Sequence, residues 1–183
     1  MTNAVSKIIK IAVVGPESTG KSTIAKYLAK ELNTICVPEY SRYYCENLNN
    51  QYTLQDEINM FHGQLALEDA LLSVGNNTAI ICDTTILTVK IWSDYLFKQT
   101  PTNIIEEIKN RKYDLYLLMN IDLPWQDDPL RDFPNERQHF FEVWQNELNN
   151  IDANYKIISG LDAERNQNAM SAIKNFLQEK SKT

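Results

Sequence analysis

The stretch GPESTGKST, Gly15 to Thr23, constrains this chain more than any other part of it. Gly15, Gly20, Lys21 and Ser22 fit the spacing G-x-x-x-x-G-K-[ST], with the apolar run IIKIAVVG (8–15) before it and a helical pattern over 21–32 after it. A strand, a glycine-rich turn and a helix in that order make a cradle for phosphates. The turn's N–H groups point inward, the helix N-terminus adds partial positive charge, the lysine reaches the outer phosphate oxygens, and the hydroxyl after it can ligate Mg²⁺. Gly15, Pro16, Glu17, Ser18, Thr19, Gly20, Lys21, Ser22 and Thr23 are therefore expected to surround the phosphates of a nucleoside triphosphate. The motif defines a donor and leaves the acceptor to be read elsewhere.

Further apolar runs, TICVPE (34–39), TAIICD (78–83), YDLYLLMNI (113–121) and YKIISG (155–160), are β-branched and nearly continuous, as in strands buried on both faces of a parallel sheet. Helical periodicity fills 53–73, 85–98, 102–111, 136–149 and 162–179. Thr53 followed by Asp56 has capping-box spacing, and Pro101 marks another helix start. The alternation predicts an α/β fold, a P-loop NTPase three-layer sandwich with a five-stranded parallel sheet, in one domain over 1–183.

A net charge of −6 with no basic run argues against nucleic acid as a partner. Cys36, Cys45 and Cys82 form no C-x-x-C pair and read as reduced thiols of a cytoplasmic protein. No apolar stretch approaches the length of a membrane span, so no membrane partner is expected. The sequence specifies no oligomeric state. His62 and His139 have no Cys or His neighbour at metal-ligand spacing.

In open α/β sheets ligands gather at the carboxyl ends of the strands. VPEYSRYY puts Glu39 and Arg42 at such an end, where Glu39 can accept a substrate hydroxyl proton and Arg42 can stabilise a phosphoryl group; a surface Glu and Arg in a loop is the alternative. Tyr40, Tyr43 and Tyr44 suit stacking on a flat ring or ordinary packing equally. Asp83 ends the third apolar run, ahead of Thr84 and Thr85, as a metal-side acid or as a helix cap. Trp92 faces either the acceptor or the core. The stretch MNIDLPWQDDPLRDFPNERQHFF holds Pro124, Pro129 and Pro134, which predicts a long loop or short helical lid over roughly 123–137. Its Arg131 and Arg137 would reach the transferring phosphate if it acts as a lid, and would serve only internal salt bridges if it is a solvated loop.

With these residues in view, the chain resembles the ribosylnicotinamide kinase domain of bacterial NadR-type proteins. The likeness runs through GPESTGKST, VPEYSR, CDTTILTVKIW and YDLYLLMNIDLPWQDDPLRDF in that order, and the DLPW and DDPLRDF elements are its most particular part. It implies transfer of the ATP γ-phosphate to the 5′-hydroxyl of nicotinamide riboside, giving nicotinamide mononucleotide, on a nucleoside- and nucleotide-kinase fold. VPEYSR also looks like the second-strand segment of deoxynucleoside kinases, which implies Glu39 as base and Asp83 with Ser22 on the metal side; the reverse assignment stays open. Tyr40, Arg42, Trp92, Trp125 and Asp128 would then join Glu39 and Asp83 around the nucleoside. NadR-type proteins commonly carry an adenylyltransferase domain, and some a helix-turn-helix, ahead of the kinase. This chain begins just before its first strand, so neither adenylyl transfer nor DNA-bound repression is expected. Pro129 stands where the family's lid often has Gly.

Two other functions compete: a kinase for another nucleoside or small metabolite, and a regulatory P-loop ATPase. A nucleotide acceptor would need extra arginines, and the acceptor side offers chiefly Arg42. A GTPase is disfavoured by the absence of an N-K-x-D-like element.

Overall fold

The computed structural model describes residues 8–46, 48, 52–74 and 79–182. Its twelve elements are β1 (Ile9–Val14), α1 (Lys21–Glu31), β2 (Ile35–Val37), α2 (Tyr40–Cys45), α3 (Leu54–Val74), β3 (Ala79–Asp83), α4 (Leu87–Phe97), α5 (Thr102–Asn110), β4 (Leu115–Met119), α6 (Arg137–Asn150), β5 (Tyr155–Ile158) and α7 (Asp162–Lys180). The five strands form one sheet in the order β2-β3-β1-β4-β5, with every pairing parallel. The expected α/β sandwich with a five-stranded parallel sheet is thus observed. The first residue of the run expected over 78–83, Thr78, lies outside the described residues.

The unbroken apolar runs are explained by burial on both sides. Along β1, Ala12 and Val14 enter a core with Met60 and Phe61 of α3, Leu87 and Val89 of α4, and Trp144 of α6. The alternate residues Ile11 and Val13 enter a second core with Ile24 and Leu28 of α1 and Ile173 of α7. Period-two side-chain alternation therefore feeds two apolar layers from one strand. β5 covers one edge, and there Ile157 remains exposed.

Two local signals operate as anticipated. The Asp56 carboxylate accepts the Thr53 N–H at 2.8 Å while the Asp56 N–H reaches the Thr53 hydroxyl at 3.3 Å, a reciprocal capping box at the start of α3. Pro101 stands immediately before α5. Two of the alternatives that the sequence left open are set aside. VPEYSRYY does not continue as a loop: Tyr40–Cys45 form α2, held because the Tyr40 N–H donates to Gln64 of α3 and the Tyr40 ring lies on Gly63. Asp83 does not cap the helix after β3; the Thr85 hydroxyl accepts the Leu87 N–H there instead.

Candidate functional site

The turn after β1 is shaped by contact with β4. Gly15 has φ +135, and a Cβ on it would stand 2.9 Å from the Met119 carbonyl oxygen, so only glycine fits between the two strand ends. Gly20, at φ +76, ends the turn and starts α1. Within the turn, the Thr19 hydroxyl and the Lys21 ammonium each donate to the Pro16 carbonyl at 2.7 Å. Those bonds hold the lysine at the mouth of the cradle.

A cavity of about 820 Å³ opens from this turn, and all of Gly15 to Thr23 line it. Glu39 and Arg42 line it from the end of β2 and from α2, Trp92 from α4, and Arg131 from the segment between β4 and α6. The sheet order explains the meeting: β1 and β3 are adjacent and β2 follows, so the ends of all three open on one side. Ser41 Oγ donates to Glu39 Oε1 at 3.1 Å, which orients that carboxylate.

Asp83 is 3% exposed, and its Oδ1 has no hydrogen-bond partner. Burial, reinforced by the Glu39 charge, pushes its carboxyl up to about 6, against the opposing pull of a Ser22 hydrogen bond and of Lys21 and Lys26. A buried carboxylate with one idle oxygen beside a serine hydroxyl is a donor pair suited to a hard cation that takes its remaining ligands from phosphate and water. Among the described residues no group of three or more His, Cys, Asp or Glu side chains makes a closed metal site.

The remaining expected residues have other partners. Tyr40 packs on Gly63 and, at 6.2 Å between ring centroids, on Tyr44, so its ring belongs to the α2–α3 contact instead of the cavity lining. Asp128 is bound to Arg42, and the Leu130 N–H together with that guanidinium holds its carboxyl below the usual range. Trp125 donates its indole N–H to Asp127 at 2.8 Å and lies 5.9 Å from the Arg137 guanidinium, outside the lining. Arg137 donates to the Ser18 carbonyl at 3.3 Å and the Leu123 carbonyl at 2.9 Å, joining the cradle to the chain after β4. Arg131 donates to the Gln126 carbonyl. Residues 120–136 carry no helix or strand.

One expected cradle residue, Glu17, has a further role, and two contributors, Arg165 and Glu57, were not singled out from sequence. The Glu17 carboxylate accepts the Asp132 N–H at 3.0 Å, and burial raises it to about 7 despite Lys21. Arg165, 3% exposed, binds Asp122 and donates to the carbonyls of Thr19, Asn120 and Gly160. A cation in the first turn of a helix opposes the dipole, and that misfit was its sequence signal. Glu57, also 3% exposed, lines the cavity and shares a helical face with Met60, Phe61 and Gln64. An acid at apolar spacing was the signal there.

Cys45 lines the cavity, while Cys36 and Cys82 lie outside its lining. Cys45 and Cys82 are buried, and burial pushes Cys36 and Cys45 up to about 11. No helix among the described residues is long and apolar enough to cross a membrane.

The chain is similar to known proteins in sequence and in fold. The trifunctional NAD biosynthesis/regulator proteins NadR of Salmonella typhimurium and of Escherichia coli are each 30% identical to the chain over 127 residues, covering 66% of it. The chain spans only 30% of the length of either relative. Among solved structures, a NadR protein in complex with NR superposes with a TM-score of 0.79 at 21% identity, over 92% of this chain and 50% of that one. A NadR protein in complex with NAD and AMP-PNP gives 0.77 at 22% identity, over 92% and 49%. A deoxyadenosine kinase from M. mycoides with bound dATP gives 0.59 at 18% identity, over 93% and 99%, so the fold is that of the P-loop nucleoside and nucleotide kinases. The model of the AAA domain family matches residues 10–165, from β1 through the first turn of α7, and the chain belongs to that family.

Proposed function

We propose that this chain is a kinase that transfers the γ-phosphate of ATP to the 5′-hydroxyl of nicotinamide riboside, yielding nicotinamide mononucleotide. The observation that carries the reading is continuity: the phosphate cradle and Glu39 line one cavity, which extends to Trp92 and Tyr52. A donor in the cradle and a nucleoside beyond Glu39 would therefore share one enclosure. The similarity to NadR, together with NadR structures that contain NR and AMP-PNP, supports this choice of acceptor and donor.

In this mechanism Lys21 and the cradle N–H groups hold the terminal phosphates, and Glu39 takes the proton of the attacking hydroxyl. Ser22 and the idle oxygen of Asp83 would hold Mg²⁺, which when bound neutralises charge on the phosphates. Arg131 and Arg137 would bring the segment 123–137 down as a lid, Arg131 from the cavity wall and Arg137 through Ser18. Exclusion of water and fixed geometry supply most of the acceleration in such a transfer. Arg42 is already paired with Asp128, which leaves the acceptor end short of a guanidinium for a second phosphate and favours a nucleoside over a nucleotide.

The test is ADP release by purified chain with MgATP and nicotinamide riboside, adenosine, uridine, thymidine or nicotinamide mononucleotide. Release that depends on nicotinamide riboside supports the reading. Hydrolysis at one rate with every acceptor overturns it in favour of an ATPase.

A further inference from the structure

The cavity wall away from the cradle holds a carboxylate that phosphate transfer does not use. Glu57 lies in the first turn of α3, lines the cavity and is 3% exposed. Among the described residues the charged group that acts on it is Asp56, a second anion. Burial and that repulsion push its carboxyl up to about 8, so the N–H groups of its own helix terminus do not offset the cost of charging it.

The cations lining the same cavity are occupied. Lys21 is on Pro16, Arg42 on Asp128, Arg131 on Gln126, and Arg165 on Asp122. Cys45, close enough to feel the Glu57 charge, and Met60, one turn along the same face of α3, line the cavity with their sulfurs 3.6 Å apart, and Tyr52 lines it as well. Trp92, Phe133 and Phe140 also line the cavity as one ring cluster, with Trp92 centroids 5.9 Å and 4.9 Å from the two phenyl rings. A buried acid without a cation is unfavourable in the free protein, and a positively charged ligand removes that penalty on binding. Aromatic faces attract the same charge.

We propose that Glu57 and the Trp92 ring cluster select a ligand whose flat ring is a quaternary pyridinium cation, and that ring charge is what this part of the cavity reads. The inference deepens the riboside-kinase reading and rests on it for the ribose and the phosphate transfer. A quaternary pyridinium nitrogen carries no N–H, so Coulomb attraction and cation–π contact recognise it where hydrogen bonding to that atom cannot. A neutral nucleobase leaves Glu57 either protonated or unpaired, and is disfavoured for that reason.

The ring is tested apart from catalysis by titrating the full chain with 1-methylnicotinamide, which is charged, and nicotinamide, which is neutral, following tryptophan fluorescence. The wild type is expected to bind the charged ring tighter by about tenfold or more. Glu57→Gln should bring the two affinities within about twofold while MgATP binding is kept, and Trp92→Leu should weaken the charged ring selectively. Equal affinity of the wild type for both rings, or a Glu57→Gln variant that keeps the preference, overturns the proposal. The wild-type ratio decides even where a variant fails to fold. The two readings fail separately: absence of riboside-dependent ADP release removes the kinase reading and leaves the ring preference intact. Phosphorylation of nicotinamide riboside without ring-charge preference removes only the role of Glu57.

Discussion

The Glu17 carboxylate accepts the backbone N–H of Asp132 at 3.0 Å, so a side chain of the phosphate cradle holds the segment between β4 and α6. Ser18 adds a second tie by accepting the Gln126 N–H at 2.8 Å, and the Ser18 carbonyl takes Arg137. Any movement of residues 123–137 would therefore have to break bonds to the cradle itself. A hydrogen bond to a charged group contributes about 1.5–3 kcal/mol, so Glu17→Ala should speed amide exchange at Gln126 and Asp132 about tenfold or more. Exchange in β1 should stay as it was. Unchanged exchange at Asp132 in native-state measurements would remove the tether.

Glu57 gives a pH dependence of stability whose sign follows from burial. Its carboxyl stays protonated in the folded chain up to about 8, whereas the unfolded chain releases that proton near its ordinary value of 4.5. Between those values the folded state binds more protons, so stability falls as pH rises through the window. At about 1.4 kcal/mol per unit, discounted for relaxation around the charge, the loss from Glu57 is about 2–4 kcal/mol. Glu17 and Asp83, raised to about 7 and about 6, act in the same direction over narrower ranges. Urea midpoints at several pH values from 5 to 8.5 should decline less in Glu57→Gln; a decline equal to the wild type would refute the assignment.

Gly63 of α3 is the seat of the Tyr40 ring, and a Cβ there would stand 2.0 Å from Tyr40 Cε1. The ring itself is in the way, so Gly63→Ala must displace α2, and with it Glu39, the residue that precedes the helix. Overpacking of this kind costs about 1–3 kcal/mol. The double variant Gly63→Ala/Tyr40→Ala should recover stability relative to Gly63→Ala alone, as read by thermal melts. Additive losses would mean that the two residues do not share the contact.

The fold was legible because its signals were local and repeated. Gly15 to Ser22 defined strand, turn and helix, and the apolar runs announced strands covered on both faces. The parts that escaped depend on distant chain. α2 has six residues rich in tyrosine, too short and too aromatic to declare itself, and is held by Gln64 and Gly63 from another helix. Tyr40 and Asp128 have chemistry suited to a substrate, but each is occupied, by Gly63 and by Arg42. Arg165 lies 146 positions from its partner Thr19, and no local pattern encodes such a pairing.

Arg165 should consequently be among the most sensitive positions for stability. Its guanidinium spreads over Asp122 and three carbonyls, joining the cradle to the ends of β4 and β5. Arg165→Met removes the guanidinium from these acceptors, leaving Asp122 with the Gly160 N–H but no cation, and should cost about 3–5 kcal/mol in urea unfolding. Arg165→Lys keeps the charge but lacks the planar fork, and should recover less than half of the loss. Full stability in Arg165→Lys would reduce the residue to a point charge.

The roles proposed for Glu39 and Asp83 separate in two measurements. Glu39 lines the cavity and is oriented by Ser41, whereas Asp83 is buried and meets the cradle through Ser22. Removing a general base lowers turnover about 10²–10⁴-fold, so Glu39→Gln should lose that much kcat at saturating Mg²⁺ with little change in the Mg²⁺ required for half-activity. Asp83→Asn should instead raise that Mg²⁺ requirement by about tenfold or more, because one of two protein donors loses its charge. Full turnover in Glu39→Gln would transfer the base to Asp83, and an unchanged Mg²⁺ requirement in Asp83→Asn would take the metal away from it. On the proposed mechanism, proton acceptance and metal holding would thus fall on two carboxylates distinguished by exposure, the half-buried Glu39 toward the substrate and the buried Asp83 toward the ion.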